Sequence, residues 1–187
     1  LDLPVLAGTG TVALEFDQFV ATDDAVIMVI EAAAWRAADR RTSSVGQTAA
    51  PGVATRAVSL LSSRARDRDV ADVADVADVA DVSAALHRQI TDWWRDDEHF
   101  VAESATPLDA YDNHVQDLDA WIRAASTHRA RGLELARTAT TALLAASGGS
   151  GMDLAHPAQR LAREAMFYVI QAQTADGRSA TLRTLTS

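Results

Sequence analysis

Apolar side chains recur at every second position near the start of the chain. Val12, Leu14 and Phe16 stand at every second position after a glycine-rich turn. A period of two with aromatic and β-branched residues is typical of a β-strand, so the pattern predicts a strand from about Thr11 to Val20. Because one strand cannot form a sheet, its partner would be the segment Leu3 to Ala7, or strands of another chain or domain.

From Ala25 onward the apolar residues recur at helical spacing. An aspartate, Asp23 or Asp24, can cap a first helix that ends near Arg40. The stretch 42–52 is rich in Ser, Gly and Pro and predicts a loop, after which a second helix follows. The apolar stripe of the first helix is Ile27, Ile30, Ala34 and Ala38, and that of the second is Val53, Ala57, Leu60 and Leu61.

A three-residue repeat, Asp-Val-Ala, fills residues 69–82. In a helix such a repeat drifts by about 60° per unit, so its valines wind around the helix and form no single apolar face. Its aspartates, spaced by three residues, repel one another. An acidic cation site is one interpretation. We favour a low-complexity expansion that forms a frayed helix or a solvated linker, because carboxylates that bind a hard cation converge with a turn.

Three further helices are predicted in the second half of the chain. Ser83 can cap the first of them. Thr106-Pro107-Leu108-Asp109 combines an N-cap, a proline at the first helical position and an early acid, so it predicts the start of the next helix. If this helix is continuous to Ser147, it has about 39 residues and a length of about 58 Å. Pro157 starts another helix, which reaches about Gln171.

Composition excludes several classes of site. The chain has 187 residues, with 26 acidic and 17 basic side chains and a formal net charge of −9; every basic residue is arginine, and cysteine is absent. Thiol nucleophiles, Cys-ligated metals, Schiff-base lysines and P-loop lysines are therefore ruled out. Acidity without a basic stripe argues against a nucleic-acid partner. No apolar run approaches the roughly 20 residues of a membrane helix, so we expect a soluble, cytoplasmic protein without a membrane partner.

The histidines and tryptophans indicate no site by themselves. No two histidines have the spacing of a metal-binding pair on a helix, and no metal site is predicted. A serine-nucleophile motif of the G-x-S-x-G type is also absent. Trp93 and Trp94 are adjacent, and adjacent helical residues point about 100° apart. We expect one of them in the core and the other covered by another element or held at an interface, in preference to stacking on a ligand.

Three stretches of the chain carry a family resemblance. Residues 8–20, GTGTVALEFDQFV, form a G-T-G strand pattern, and residues 145–151, AASGGSG, form a double-glycine turn. Residues 156–165, HPAQRLAREA, fit the pattern P-x-x-R-x-x-R-[DE]-A. In this order and rough spacing they resemble the acyl-CoA dehydrogenase superfamily, from the end of its middle β-domain through its C-terminal helical bundle. The middle third of the chain matches only as helices.

The resemblance implies FAD bound between subunits and oxidation of an acyl-CoA thioester by a carboxylate base and hydride transfer. It implies that Gly148 and Gly149 approach the flavin and that Thr174 contacts it. The family also has a pyrophosphate-binding arginine shortly after the first bundle helix. Arg41 is the matching candidate, and a guanidinium suits a diphosphate.

The catalytic base is where the sequence departs from the family. In one common arrangement the base belongs to a Y-E-G-T motif, and the matching residues here are Gln171-Ala172-Gln173-Thr174. Other members carry the base on the first bundle helix, where Asp23, Asp24 and Glu31 are available. A branch of flavin monooxygenases with this fold lacks the base altogether. The identity of the base, and the choice between dehydrogenase and monooxygenase chemistry, stay open at this point.

These observations predict a mainly α protein, an up-down helical bundle like the acyl-CoA dehydrogenase C-terminal domain, with a short N-terminal β segment. Residues 1–22 would be the remnant of a β-domain and residues 23–187 the bundle. We expect the chain to be part of an FAD-dependent oxidoreductase that acts on an acyl-CoA-like substrate. We expect a homo- or hetero-oligomer with chains that supply the missing N-terminal and β domains. The alternative is a non-catalytic helical subunit or partner of a flavoenzyme.

Overall fold

A computed structural model describes residues 15–45, 48–66, 73–104, 118–171 and 173–186. Within these ranges the protein is mainly helical and contains no β-strand. The described α-helices are α1 (Ala32–Ser44), α2 (Ala49–Arg66), α3 (Val73–Ser104), α4 (Leu118–Ser147), α5 (Pro157–Ile170) and α6 (Ala175–Thr184). Two short 3₁₀ turns cover Asp23–Ala25 and Gly148–Met152.

Helix α4 is the centre of a helical bundle and packs against all five other described helices. Helices α3 and α4 run in opposite directions. Trp93 of α3 stacks on His128, whereas Phe100, further along α3, contacts Trp121, which lies earlier on α4. The prediction of a mainly α bundle is thereby confirmed at the level of helical architecture.

The main core lies between α2, α3, α4 and α5. Small alanines alternate with larger aliphatic residues there, which lets the helix backbones approach closely while the gaps are filled. The buried members are Ala50, Val53, Ala54, Ala57, Val58, Leu61, Leu86, Ile90, Leu133, Ala136, Ala139, Leu143, Ala158, Leu161 and Ala165.

The segment before α1 differs from the prediction. Residues 15–20 form no strand, and residues 11–14 and the Leu3–Ala7 partner lie outside the described residues. A 3₁₀ turn covers Asp23–Ala25 where the predicted helix would start, and the first described α-helix begins at Ala32. The predicted start was wrong because 26–30 is mostly β-branched and nothing in the described chain buries it, whereas three successive alanines favour the helix from residue 32.

The loop predicted at 42–52 is much shorter in the structure. Helix α1 continues to Ser44 and α2 begins at Ala49. Pro51 lies in the first turn of α2, where its missing N–H interrupts no helical hydrogen bond. The predicted second helix is confirmed, with Val53, Ala57 and Leu61 buried on one face.

The Asp-Val-Ala repeat is helical in its described part, because α3 begins at Val73. Residues 69–72 lie outside the described residues. From residue 77 to 82 only Val79 is partly buried against the core. Ser83 is not a helix cap as predicted: it is buried within α3, and its Oγ lies 2.6 Å from the Oγ of Ser62 in α2. The described residues contain no cluster of three or more His, Cys, Asp or Glu side chains that could hold a metal ion.

Deleting two Asp-Val-Ala units is expected to change the free energy of unfolding by no more than about 0.5 kcal/mol, as for other surface changes. The deletion shortens the start of α3 and leaves the Asp-Val pair before Ser83 in place, so the contact with α2 survives. Thermal unfolding followed by circular dichroism at 222 nm, the usual helix wavelength, measures the change. A loss several times larger, or stabilisation of the parent by calcium, would contradict the linker interpretation.

Two predicted helix boundaries are confirmed. Helix α4 ends at Ser147 and α5 begins at Pro157, while α3 ends at Ser104. The predicted helix start at Thr106–Asp109 lies outside the described residues. From Leu118 onward α4 has 30 residues, a length of about 45 Å. No described helix combines the length and the hydrophobicity of a membrane-spanning segment.

Candidate functional site

The first half of the candidate site is the junction of α1, α4, α5 and α6. Arg41 lies in the last turn of α1, and Thr174 is the N-cap residue of α6. The two helices are joined directly, because Arg40 Nε donates to Asp176 Oδ2 at 3.0 Å. Arg41 and Thr174 therefore lie at the same end of the bundle.

Arg129 of α4 holds this junction together. Its side chain is only 2% exposed, and it donates from Nη1 to Ser43 O at 2.7 Å and from Nη2 to Gln171 O at 2.6 Å. These carbonyls belong to the last turn of α1 and the C-cap of α5, positions that lack helical donors. Burial lowers the pKa of Arg129 below its ordinary value. The guanidinium of Arg129 thus provides hydrogen-bond donors to carbonyl groups at the ends of α1 and α5, close in sequence to Arg41 and Thr174.

The neighbouring arginines Arg40 and Arg41 differ in their surroundings. Arg40 is exposed and bonds both Asp176 and Asp119, and these hydrogen bonds raise its pKa. Arg41 is 8% exposed. A diphosphate that binds Arg41 must therefore enter between the helices, because the guanidinium does not lie on the open surface.

The hydroxyl of Thr174 already has a structural role. Its Oγ1 accepts a hydrogen bond from Gly177 N at 3.2 Å and so caps α6. A hydroxyl that accepts in this way keeps its proton for donation. Thr174 can therefore cap the helix and donate to a ligand atom with the same oxygen.

The second half of the candidate site is the turn after α4. Gly148 has φ +53, a left-handed conformation that only glycine adopts without strain. Gly149 does not share this positive φ, and a Cβ built on it would meet no heavy atom of the described chain within 4 Å. The conformational requirement for glycine therefore falls on Gly148, and the backbone at Gly149 is uncovered.

The two halves of the candidate site lie far apart in this chain. Arg129 lies within α4, and Gly148 directly follows the end of this helix, 19 positions further along the chain. At the rise of an α-helix, this separation corresponds to about 28 Å along the axis of α4. The structure therefore brings Arg41 and Thr174 to one end of the bundle and places Gly148 and Gly149 at the other.

The residues at the expected position of the base serve helix ends instead. Gln171 caps α5 and accepts from Arg129 through its carbonyl. Gln173 Nε2 donates to Val169 O at 2.7 Å and to Thr181 Oγ1 at 3.3 Å, and Ala172 lies outside the described residues.

The three acids considered on the first bundle helix lie before or at its start. Asp23 and Asp24 belong to the isolated 3₁₀ turn, and Glu31 is the N-cap residue of α1. All three are exposed.

A buried carboxylate–imidazole pair was not predicted from the sequence. Asp97 of α3 and His128 of α4 are 3% and 5% exposed, and Asp97 Oδ1 lies 3.2 Å from His128 Nε2. Burial raises the pKa of Asp97 and lowers the pKa of His128, while their mutual attraction opposes both shifts. The partners stand 31 positions apart, so only the antiparallel packing of α3 on α4 brings them together.

Trp93 completes this cluster from α3. Its ring stacks on His128 with centroids 4.4 Å apart, and its Nε1 donates to His128 O at 2.9 Å. The prediction that one of the adjacent tryptophans is core is confirmed for Trp93. Trp94 is partly buried against the main core.

Comparison of the chain with models of known families, with curated proteins and with solved structures found no match. The functional assignment therefore depends on the residues and the geometry described above.

Proposed function

We propose that this chain forms the helical part of an FAD-dependent oxidoreductase that resembles the acyl-CoA dehydrogenases, with the flavin bound at an interface between chains. The observation that carries the proposal is the turn between α4 and α5. It combines the double-glycine sequence, a left-handed Gly148 and an uncovered backbone at Gly149, and it leads into the helix with the P-x-x-R-x-x-R-E-A pattern.

The turn allows a cofactor to approach closely for a physical reason. A backbone without side chains can approach a phosphate or a flavin ring more closely than one that carries them. Nothing in the described chain within 4 Å fills the space beside Gly149. This space is therefore available to a cofactor or to a second chain that carries one.

The exposed segment before α1 supports a site shared between chains. Phe16, Phe19, Val20, Ile27 and Val29 are each at least 71% exposed. Apolar side chains clustered on a surface usually mark an interaction site. The separation of about 28 Å along α4 also favours a site shared between chains. In an assembly, the glycine turn and the Arg41–Thr174 end would contact different flavins.

In this proposal FAD would supply the hydride acceptor for oxidation of an acyl-CoA-like substrate. Thr174 would donate a hydrogen bond to the flavin, and Arg41 would neutralise part of the diphosphate charge. The backbone at Gly148 and Gly149 allows the cofactor to approach closely. The carboxylate base, where the reaction needs one, comes from outside the Gln171–Thr174 segment.

A non-catalytic helical subunit is the second candidate function. The observation that favours it is the use of Gln171 and Gln173 to complete helix ends where the family motif carries its base. Such a subunit would stabilise or shape a flavoenzyme without contacting the flavin.

Gly149→Val is expected to lower the flavin content of the assembled protein severalfold while leaving its thermal stability nearly unchanged. The valine side chain enters space that is empty in this chain and that the proposal assigns to the cofactor. The flavin-to-protein absorbance ratio measures cofactor content, and circular dichroism measures unfolding.

Gly148→Ala provides the contrast, because forcing a β-carbon into the left-handed region costs about 1–2 kcal/mol of stability without placing a large group beside Gly149. An unchanged flavin ratio in Gly149→Val would remove the turn from the site. A parent protein without flavin in any assembly would favour the non-catalytic subunit.

A further inference from the structure

A groove runs between the second half of α3 and the first half of α4. It has a volume of about 670 Å³, within the range of sites for small organic ligands. Residues Arg95 and Phe100 of α3 and Arg123, Thr127, His128 and Arg131 of α4 line it.

The groove is basic in a chain that is otherwise acidic. Three arginines line it against one lining aspartate, Asp96, whereas the whole chain has a formal net charge of −9. Arg95 also forms an exposed ion pair with Asp92, one turn earlier on α3. Exposed pairs of this kind are weak, so the guanidinium can exchange that partner for a ligand oxyanion.

The arginines of α4 follow a helical row. Arg123, Thr127 and Arg131 are spaced by four residues, so their side chains follow one another along one face of the helix. Each guanidinium presents a planar fork of donors that matches a carboxylate. The row therefore supplies cationic donors along one wall of the groove, whereas the hydroxyl of Thr127 between them already donates to Arg123 O at 2.8 Å.

Aromatic rings form the inner part of the groove. The rings of Phe100 and His128 lie with centroids 4.9 Å apart and an interplanar angle of 31°. Trp93 stacks on the same imidazole, and Asp97 holds its Nε2. His128 therefore lies between Trp93 and Phe100 and is only 5% exposed, so the ring that the groove offers to a planar apolar group of a ligand is that of Phe100.

We propose that this groove binds a small organic anion that joins a planar ring to a carboxylate, as in an aromatic carboxylic acid. The carboxylate binds the guanidinium groups of Arg123 and Arg131, and the ring lies against Phe100. None of the residues lining the groove belongs to the proposed flavin site. The two proposals therefore stand or fall separately.

Isothermal titration calorimetry of the full chain with 2-naphthoate tests the proposal, and 2-naphthamide serves as the uncharged ligand control. We expect 2-naphthoate to bind, and the amide to bind at least tenfold more weakly because it lacks the charge. The double variant Arg123→Gln/Arg131→Gln should weaken naphthoate binding at least tenfold. Arg88→Gln removes an exposed arginine of α3 outside the groove and should leave the affinity within twofold of the parent.

Three results would overturn the proposal. These are no binding of 2-naphthoate at millimolar concentration, equal affinity for the acid and the amide, or equal weakening by Arg88→Gln and the double variant. Circular dichroism of each variant establishes that it is folded before the titration. Phe100→Leu gives an independent readout, because it should weaken naphthoate binding severalfold while the arginine row stays intact.

Discussion

Arg129→Met is expected to lower the free energy of unfolding by about 3 kcal/mol or more. The guanidinium donates two hydrogen bonds, to Ser43 O and Gln171 O, and a hydrogen bond from a charged donor contributes about 1.5–3 kcal/mol. Methionine keeps much of the length and apolar surface but leaves both helix-end carbonyls without this donor. Burying the charged guanidinium costs free energy in the parent protein. The variant no longer has this cost, which offsets part of the lost stability.

Arg131→Met is the matched control for this experiment. It removes an arginine from the same helix, two positions away, at an exposed site, and should change stability by about 0.5 kcal/mol or less. Urea unfolding followed by circular dichroism compares the two variants. Equal midpoints for Arg129→Met and Arg131→Met would show that the buried guanidinium does not hold the junction.

Gly132→Ala is expected to destabilise the protein by about 1–3 kcal/mol through overpacking, although alanine is the better helix former by about 1 kcal/mol. A Cβ built at Gly132 lies 2.9 Å from Cε2 of Trp93. The indole cannot move away easily, because it stacks on His128 and its Nε1 donates to the same residue.

Gly52→Ala is the control for helix propensity. Gly52 also lies in a helix, but its Cβ would meet nothing in the described chain within 4 Å, so this variant should gain up to about 1 kcal/mol. Adding Trp93→Phe should relieve the clash, so the double variant should be more stable than the sum of the single changes predicts. Stabilisation by Gly132→Ala, or additive effects in the double variant, would contradict the close approach.

The sequence predicted those helix ends that local chemistry determines. The glycines after Ser147 and the proline at 157 act through the backbone itself, so α4 ends and α5 begins where they indicate. The start of α1 was mispredicted because Asp23 and Asp24 are suitable caps only if the following residues find a surface to pack against. Within the described chain no residue of 26–30 is buried.

The interactions between helices could not be predicted from local patterns. Arg129 looks in the sequence like any surface arginine, and only the convergence of two helix ends on α4 shows its role. Gly132 resembles a weak point in a helix until Trp93 is seen against its backbone. The glycine turn was found as a motif, but its distance from Arg41 and Thr174 depends on the length and packing of α4.

The most direct measurement of the proposed function is the visible absorption spectrum of the protein isolated with its natural partners. A flavoprotein assembly should show flavin absorption bands, and heat denaturation should release a cofactor with the mass of FAD. A colourless assembly that releases no flavin, and that binds none when FAD is added in excess, would contradict the proposal that this helical chain takes part in a flavin site.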